Sequence, residues 1–81
     1  MISRKAYVLI RTKIGSAEEV AKALRGRPGV VAADIVTGPH EVITVIQGAD
    51  PDAIAKVVLS EMHNIKGITD TTTYIVIDSG K

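Results

Sequence analysis

Residues 30–47 read VVAADIVTGPHEVITVIQ, which is two β-rich segments joined by Gly38-Pro39-His40. Val, Ile and Thr favour strands, whereas a glycine followed by a proline interrupts them. The stretch therefore predicts a hairpin with strands at residues 30–37 and 41–47 and a tight connection between them. A helical pattern flanks the hairpin on each side, and a further strand lies beyond each helix. The predicted element order is βαββαβ.

Both helices are predicted from an N-terminal signal followed by an apolar stripe. The first follows Ser16, which has the spacing of a capping box with Glu19, and it ends before Gly26. The second begins at Asp50-Pro51, an N-cap acid followed by a proline in the first turn. Its apolar side chains recur at helical spacing and are expected to be buried: Ile54, Val57, Val58, Met62 and Ile65.

The first and last strands are predicted at residues 6–12 and 71–78, and residues 79–81 are expected to form a frayed, flexible tail. The segments 28–30 (PGV) and 66–68 (KGI) follow the two helices at equivalent places, which is a weak internal repeat. Two βαβ halves joined by a hairpin predict a ferredoxin-like α+β sandwich. In this fold a four-stranded antiparallel sheet carries two helices on one face. Residues 1–81 are expected to be a single domain.

The strands also predict that the second face of the sheet is covered. A strand with one face in water alternates apolar and polar residues. Residues 7–10, 42–46 and 74–77 are instead apolar almost throughout. Because two helices cover only one face, a second copy of the chain is expected to pack on the other, which predicts at least a homodimer.

The composition argues against several function classes. The chain has no cysteine, which excludes thiolate metal sites and cysteine nucleophiles. A net charge of +1 and only two aromatic residues do not favour direct binding of DNA or RNA. Two histidines offer neither a convincing metal site nor a catalytic triad, so no enzyme activity and no cofactor are expected. The chain lacks an apolar run of membrane-spanning length, so a cytoplasmic protein without membrane contact is expected.

The connection between the hairpin strands is the candidate binding site. Gly38 leaves main-chain N–H groups accessible to a small carboxylate, and Glu41 can hold an ammonium group. Together they suit an α-amino acid, but the same residues also describe an ordinary turn with an exposed acid. Thr71 and Thr73 share one face of the last strand and can supply hydroxyl groups.

The order and spacing of these segments resemble the ligand-binding (RAM) domain of the Lrp/AsnC family of transcriptional regulators. The resemblance covers residues 6–78 and rests on residues 6–10, 28–30, 36–43 and 65–73. It implies dimerisation through the sheets, higher oligomers, and amino acids or related small molecules bound between dimers. The ligand-binding residues that follow from the hairpin and from this resemblance are Thr37, Gly38, His40, Glu41, His63, Thr71, Thr73 and Ile75, and the resemblance adds Val76.

The sequence also departs from this family in two respects. Members usually have Asp at the position of Glu41, and the first strand begins too close to Met1 for a helix-turn-helix domain. The resemblance therefore implies a stand-alone sensing module, or an excised effector domain, in the regulation of amino-acid metabolism, with full-length relatives as possible co-assembly partners. Two alternatives stay open. One is an ACT-like amino-acid-binding domain that pairs its sheets side by side, and the other is a dimeric α/β-barrel enzyme.

Overall fold

The chain folds in the predicted element order. The structure is a computed structural model that describes residues 4–77. The predicted tail at residues 79–81 lies outside this range. The elements are β1 (Arg4–Thr12), α1 (Ala17–Leu24), β2 (Val30–Ile35), β3 (Val42–Gly48), α2 (Pro51–Val57) and β4 (Ile68–Ile75). α2 continues into five π-helical residues, Val58–Met62, here called the π-segment.

The strands form one antiparallel sheet in the order β2-β3-β1-β4, with both helices on one face. Along β1 and β3, buried side chains alternate with partly or fully exposed ones, so one face of these central strands is the core face. The core is aliphatic except for Met62 and one buried polar residue, Thr44, whose hydroxyl donates to the Val8 carbonyl at 3.1 Å. The predicted ferredoxin-like fold is confirmed.

The two helix starts differ. Asp50 has an extended backbone, and its carboxylate accepts from the Ala53 N–H at 2.8 Å, as predicted for an N-cap acid. The capping box predicted for Ser16 and Glu19 is wrong, because the Ser16 side chain makes no capping hydrogen bond. Ser16 already has helical dihedral angles, φ −102° and ψ −4°, whereas an N-cap hydroxyl is normally directed at the helix by an extended backbone.

Two strand boundaries differ from the predicted ones, because each is set by pairing with a neighbouring strand. β4 begins at Ile68, three residues before the predicted start, because Ile68 pairs with Thr12 at the end of β1. β2 ends at Ile35, so the connection to β3 is wider than the predicted tight turn. It is closed by the Val36 N–H, which donates to the Glu41 carbonyl at 2.9 Å.

The weak internal repeat has a structural basis in Gly29 and Gly67, which precede β2 and β4. Both have positive φ, +84° and +97°, and their carbonyls accept hydrogen bonds of 2.8 Å from Gln47 and Lys13, respectively. Each glycine lies against the helix of the other half. A Cβ atom at Gly29 would lie 2.8 Å from Cγ2 of Val57 in α2, and one at Gly67 would lie 3.0 Å from the N-cap residue of α1.

We predict that Gly29→Ala destabilises the fold more than Gly26→Ala does. Both glycines have nearly the same φ, +84° and +86°, but a Cβ atom at Gly26 would meet nothing within 4 Å. Gly26→Ala should lower the free energy of unfolding by about 1–2 kcal/mol, because alanine is strained in the left-handed backbone conformation. Gly29→Ala should cost roughly a further 1–3 kcal/mol, because Val57 is β-branched and yields little. Urea unfolding of the two variants measures the difference, and equal losses would show that the contact with Val57 is unimportant.

Candidate functional site

A pocket lies on the helix-bearing side of the sheet, at the start of β4. Its volume is about 260 Å³. Thr71 and His63 both line it, so the structure brings together two residues that were predicted from different elements. The complete lining is His63, Ile68, Thr69, Asp70 and Thr71.

The π-segment places His63 at this pocket. The His63 N–H donates to the Val58 carbonyl, five residues earlier, at 3.3 Å. A π-helical turn inserts one residue relative to an α-helix and rotates everything that follows it. Met62 remains in the core while His63 is exposed beside the start of β4.

The Glu41 carboxylate is held at the end of β1. Its Oε1 atom accepts from the Thr12 N–H at 2.7 Å and from the Thr12 hydroxyl at 3.5 Å. The side chain thus takes the place of a main-chain acceptor where the β1–β3 ladder ends. The hydrogen bond from the Thr12 N–H holds the pKa of Glu41 below its usual value, and the Arg11 guanidinium acts in the same direction. Partial burial opposes both effects but does not outweigh them.

Thr12 connects Glu41 to the pocket. The Thr12 N–H is directed to Glu41, and on its other side Thr12 pairs with Ile68, which lines the pocket. Glu41 and the pocket are therefore two strand spacings apart, or roughly 10 Å. Both recorded hydrogen bonds use Oε1, so within residues 4–77 the Oε2 atom can accept a further donor.

The loop between β2 and β3 stands apart from this pocket. Thr37 and Gly38 are exposed and His40 is half-buried, and none of the three lines the pocket among the described residues. Gly38 does not have positive φ, and the nearest atom to a Cβ placed there would be the His40 carbonyl oxygen at 3.9 Å. The local backbone does not require a glycine at this position. A role for these residues in ligand binding stays a prediction.

Thr73 and Ile75 line a second cavity rather than the first. This groove of about 370 Å³ runs between α2 and β4 and is largely apolar. Val76 donates its N–H to the Lys5 carbonyl at 2.8 Å, which makes it part of the sheet ladder. The other predicted site residues fall into three groups: the loop with Glu41, the pocket, and this groove. The other lining residues of the groove are Pro51, Ile54, Ala55, Val58 and Leu59.

Sequence reasoning missed four residues of this region: Thr12, Ile68, Thr69 and Asp70. The alternation of Thr69 with Thr71 would have indicated Thr69, had β4 been predicted to start at Ile68. An imidazole and two hydroxyl groups around a small pocket are suited to a polar small molecule. Among the described residues, no three His, Asp or Glu side chains cluster as metal ligands would, and no helix qualifies as a membrane span.

The chain matches the family model described as the Lrp/AsnC ligand binding domain over residues 5–81. It is 32% identical over 73 residues to an uncharacterized HTH-type transcriptional regulator of Pyrococcus furiosus. The match covers 86% of this chain and 49% of that protein, so the chain spans about half the length of this curated relative.

Two solved structures are similar in fold. A protein of Thermus thermophilus superposes with a TM-score of 0.88 at 24% identity, covering 94% of this chain and 95% of that one. A transcriptional regulator of Neisseria meningitidis, solved as a complex with L-Met, superposes with a TM-score of 0.82 at 21% identity, covering 96% of this chain and 52% of that one. The comparisons do not favour the ACT-like or barrel-enzyme alternatives. The family match over nearly the whole length shows that this chain belongs to the Lrp/AsnC family and contains its ligand-binding domain.

Proposed function

We propose that the chain is a small-molecule sensor that binds an α-amino acid and acts as a dimer or larger assembly in transcriptional regulation. A regulatory role fits the relatives, which are transcriptional regulators, and argues against an enzyme. The observation that carries the proposal is the ionised Glu41 carboxylate at the same end of the sheet as a polar pocket, roughly 10 Å from it, in a domain whose family binds ligands.

The geometry supports an amino acid as the ligand. The ammonium group can donate to Oε2 of Glu41 in a charge-assisted hydrogen bond. The side chain of the ligand can then extend over Thr12 towards Thr69 and Thr71, whose hydroxyls can hydrogen-bond to a polar group on it. The complex of the Neisseria regulator with L-Met provides support from a protein of the same fold.

The uncovered face of the sheet, here called the open face, supports self-association. Strand register places Leu9, Ile43 and Val45 on it, all half-buried in one chain. Tyr7 and Tyr74 lie on the same face and are 39% and 56% exposed. A contiguous apolar surface of this kind is typical of an interface, and a second copy with the same surface can cover it.

We predict that at least one of the twenty amino acids raises the melting temperature of the chain and that Glu41→Gln reduces this shift. Gln keeps an oxygen that can accept from Thr12 but removes the charge that holds an ammonium group. A thermal-shift screen of both proteins measures the effect, with Glu18→Gln on α1 as a charge-matched control. A wild type stabilised by no amino acid, or an equal response from Glu41→Gln, would contradict this site.

We predict that Glu41 makes folding stability sensitive to acid. Its pKa is lower in the folded chain than its ordinary value of 4.5. The stabilisation is therefore present above about pH 4.5 and is lost as the pH falls through the lowered folded-state pKa. Urea unfolding between pH 7 and pH 3 should show a smaller loss of stability for Glu41→Gln than for the wild type. Parallel curves for the two proteins would refute this role of Glu41.

We predict that Ile43→Lys weakens the dimer without unfolding the chain. Ile43 is only half-buried in one chain, and its β2 neighbour Asp34 can pair with the new ammonium group. In the dimer the lysine would be desolvated. Ile35→Lys is the matched control, because Ile35 is 47% exposed and lies on the opposite face. Sedimentation velocity should show monomers for Ile43→Lys and dimers or larger species for the control, and unchanged dimers for both would exclude this interface.

A further inference from the structure

The internal repeat extends beyond Gly29 and Gly67 to the helix ends that precede them. Four residues before each glycine lies the C-cap residue of the preceding helix, which is Arg25 after α1 and His63 after the π-segment. These two residues have nearly equal φ, −63° and −65°. An edge strand of the sheet, β2 or β4, follows each glycine directly. The two places can therefore be compared residue by residue.

The edge strands are irregular at the same position of the repeat. Pairing with the neighbouring strand passes over Val31 in β2 and over Thr69 in β4, so each strand carries one extra residue just after its start. Such a β-bulge changes the direction of the side chains around it. Because the bulges match, Ala33 in β2 is the structural equivalent of Thr71 in β4.

In the first half of the repeat, the Arg25 side chain fills the space between helix end and strand. Its Nε atom donates to the Ala33 carbonyl at 3.0 Å, and Ala33 is only 3% exposed. This carbonyl faces the free edge of β2, because the Val36 N–H is directed to the Glu41 carbonyl and direction alternates along an antiparallel strand. The guanidinium group thus supplies the donor that a neighbouring strand would otherwise supply.

In the second half, the equivalent space is the pocket between His63 and Thr71. The Val76 N–H donates to the Lys5 carbonyl, so by the same alternation the Thr71 carbonyl faces away from β1. Within residues 4–77, no strand pairs with that edge of β4. Histidine is shorter than arginine, and about 260 Å³ of space is left where Arg25 fills the first half.

The groups around this space favour a hydrogen-bond donor on the ligand. The outward Thr71 carbonyl and the hydroxyls of Thr69 and Thr71 can all accept from an N–H group. Among the described residues, neither lysine nor arginine lines the pocket, so a side-chain carboxylate of the ligand would find no cationic partner there.

We propose that the pocket recognises an amino acid whose side chain ends in a guanidinium group, which takes the place that Arg25 holds in the first half. The assignment rests on the proposed function, because the α-ammonium group is held by Glu41. The length of the side chain agrees with it. An extended arginine measures about 8 Å between its end nitrogens, which spans the roughly 10 Å from Glu41 to the pocket with a hydrogen bond at each end.

His63→Arg tests the acceptor without any ligand. A guanidinium group tethered at this position should donate to the Thr71 carbonyl as Arg25 donates to Ala33, and so raise the melting temperature by roughly 4–8 °C. His40→Arg is the matched control, because it makes the same replacement in the β2–β3 loop, outside the pocket. A melting temperature of His63→Arg no higher than that of His40→Arg would overturn the proposal.

A thermal-shift comparison of arginine, citrulline and norleucine at matched ionic strength tests the ligand class on the wild-type chain. Citrulline replaces the guanidinium group with a neutral urea group, and norleucine has no side-chain donor. We expect the largest shift from arginine and the smallest from norleucine, and we expect His63→Arg to lose the response to arginine because its own side chain fills the pocket.

The outcomes separate this proposal from the proposed function. If norleucine stabilises the wild type as much as arginine does, and Glu41→Gln still reduces the shift, the guanidinium assignment is wrong while binding at Glu41 stands. If none of the twenty amino acids shifts the melting temperature, both are wrong. A response to arginine that His63→Arg retains in full would also overturn the assignment of the side chain to this pocket.

Discussion

Two helices can cover only one face of a four-stranded sheet, and this constraint determines which surfaces the chain leaves free. On the covered face, side chains such as Val8 and Ile46 are fully buried. On the other face, Leu9 and Ile43 stay half-exposed although they are as apolar as the core. Among residues 4–77, no further helix or strand covers them. The apolar open face therefore supports the proposed self-association.

The same constraint creates the pocket and the groove. α2 packs on β3 and β1, so the helix side of the edge strand β4 is left partly uncovered. The π-segment, at Val58–Met62, runs beside this uncovered strip and directs Leu59 and His63 to its two cavities. β4 thus carries the polar pocket at its start and the apolar groove towards its end.

Local signals predicted the fold well, and long-range contacts account for what they missed. The Asp50 cap and the apolar stripe that begins in α2 are encoded within a few residues. The structure confirms the cap and the burial of the stripe, except that Val57 is only partly buried. The start of β4 depends on pairing with Thr12, which no local pattern specifies. For the same reason the sequence could suggest that Glu41 binds a ligand but not that its carboxylate accepts from Thr12, 29 residues away. The proximity of His63 to Thr71 likewise depends on the π-segment.

The proposed ligand site lies at one end of the sheet and comprises Glu41, Thr12 and the start of β4. The most direct test is a titration of isotope-labelled chain with the amino acid that stabilises it most, followed through the amide resonances. The account predicts saturable shifts at Thr12, Glu41, Thr69 and Thr71, with little change in the outer turns of α1. Saturable shifts confined to other parts of the chain, or no shifts at any amino-acid concentration, would contradict it.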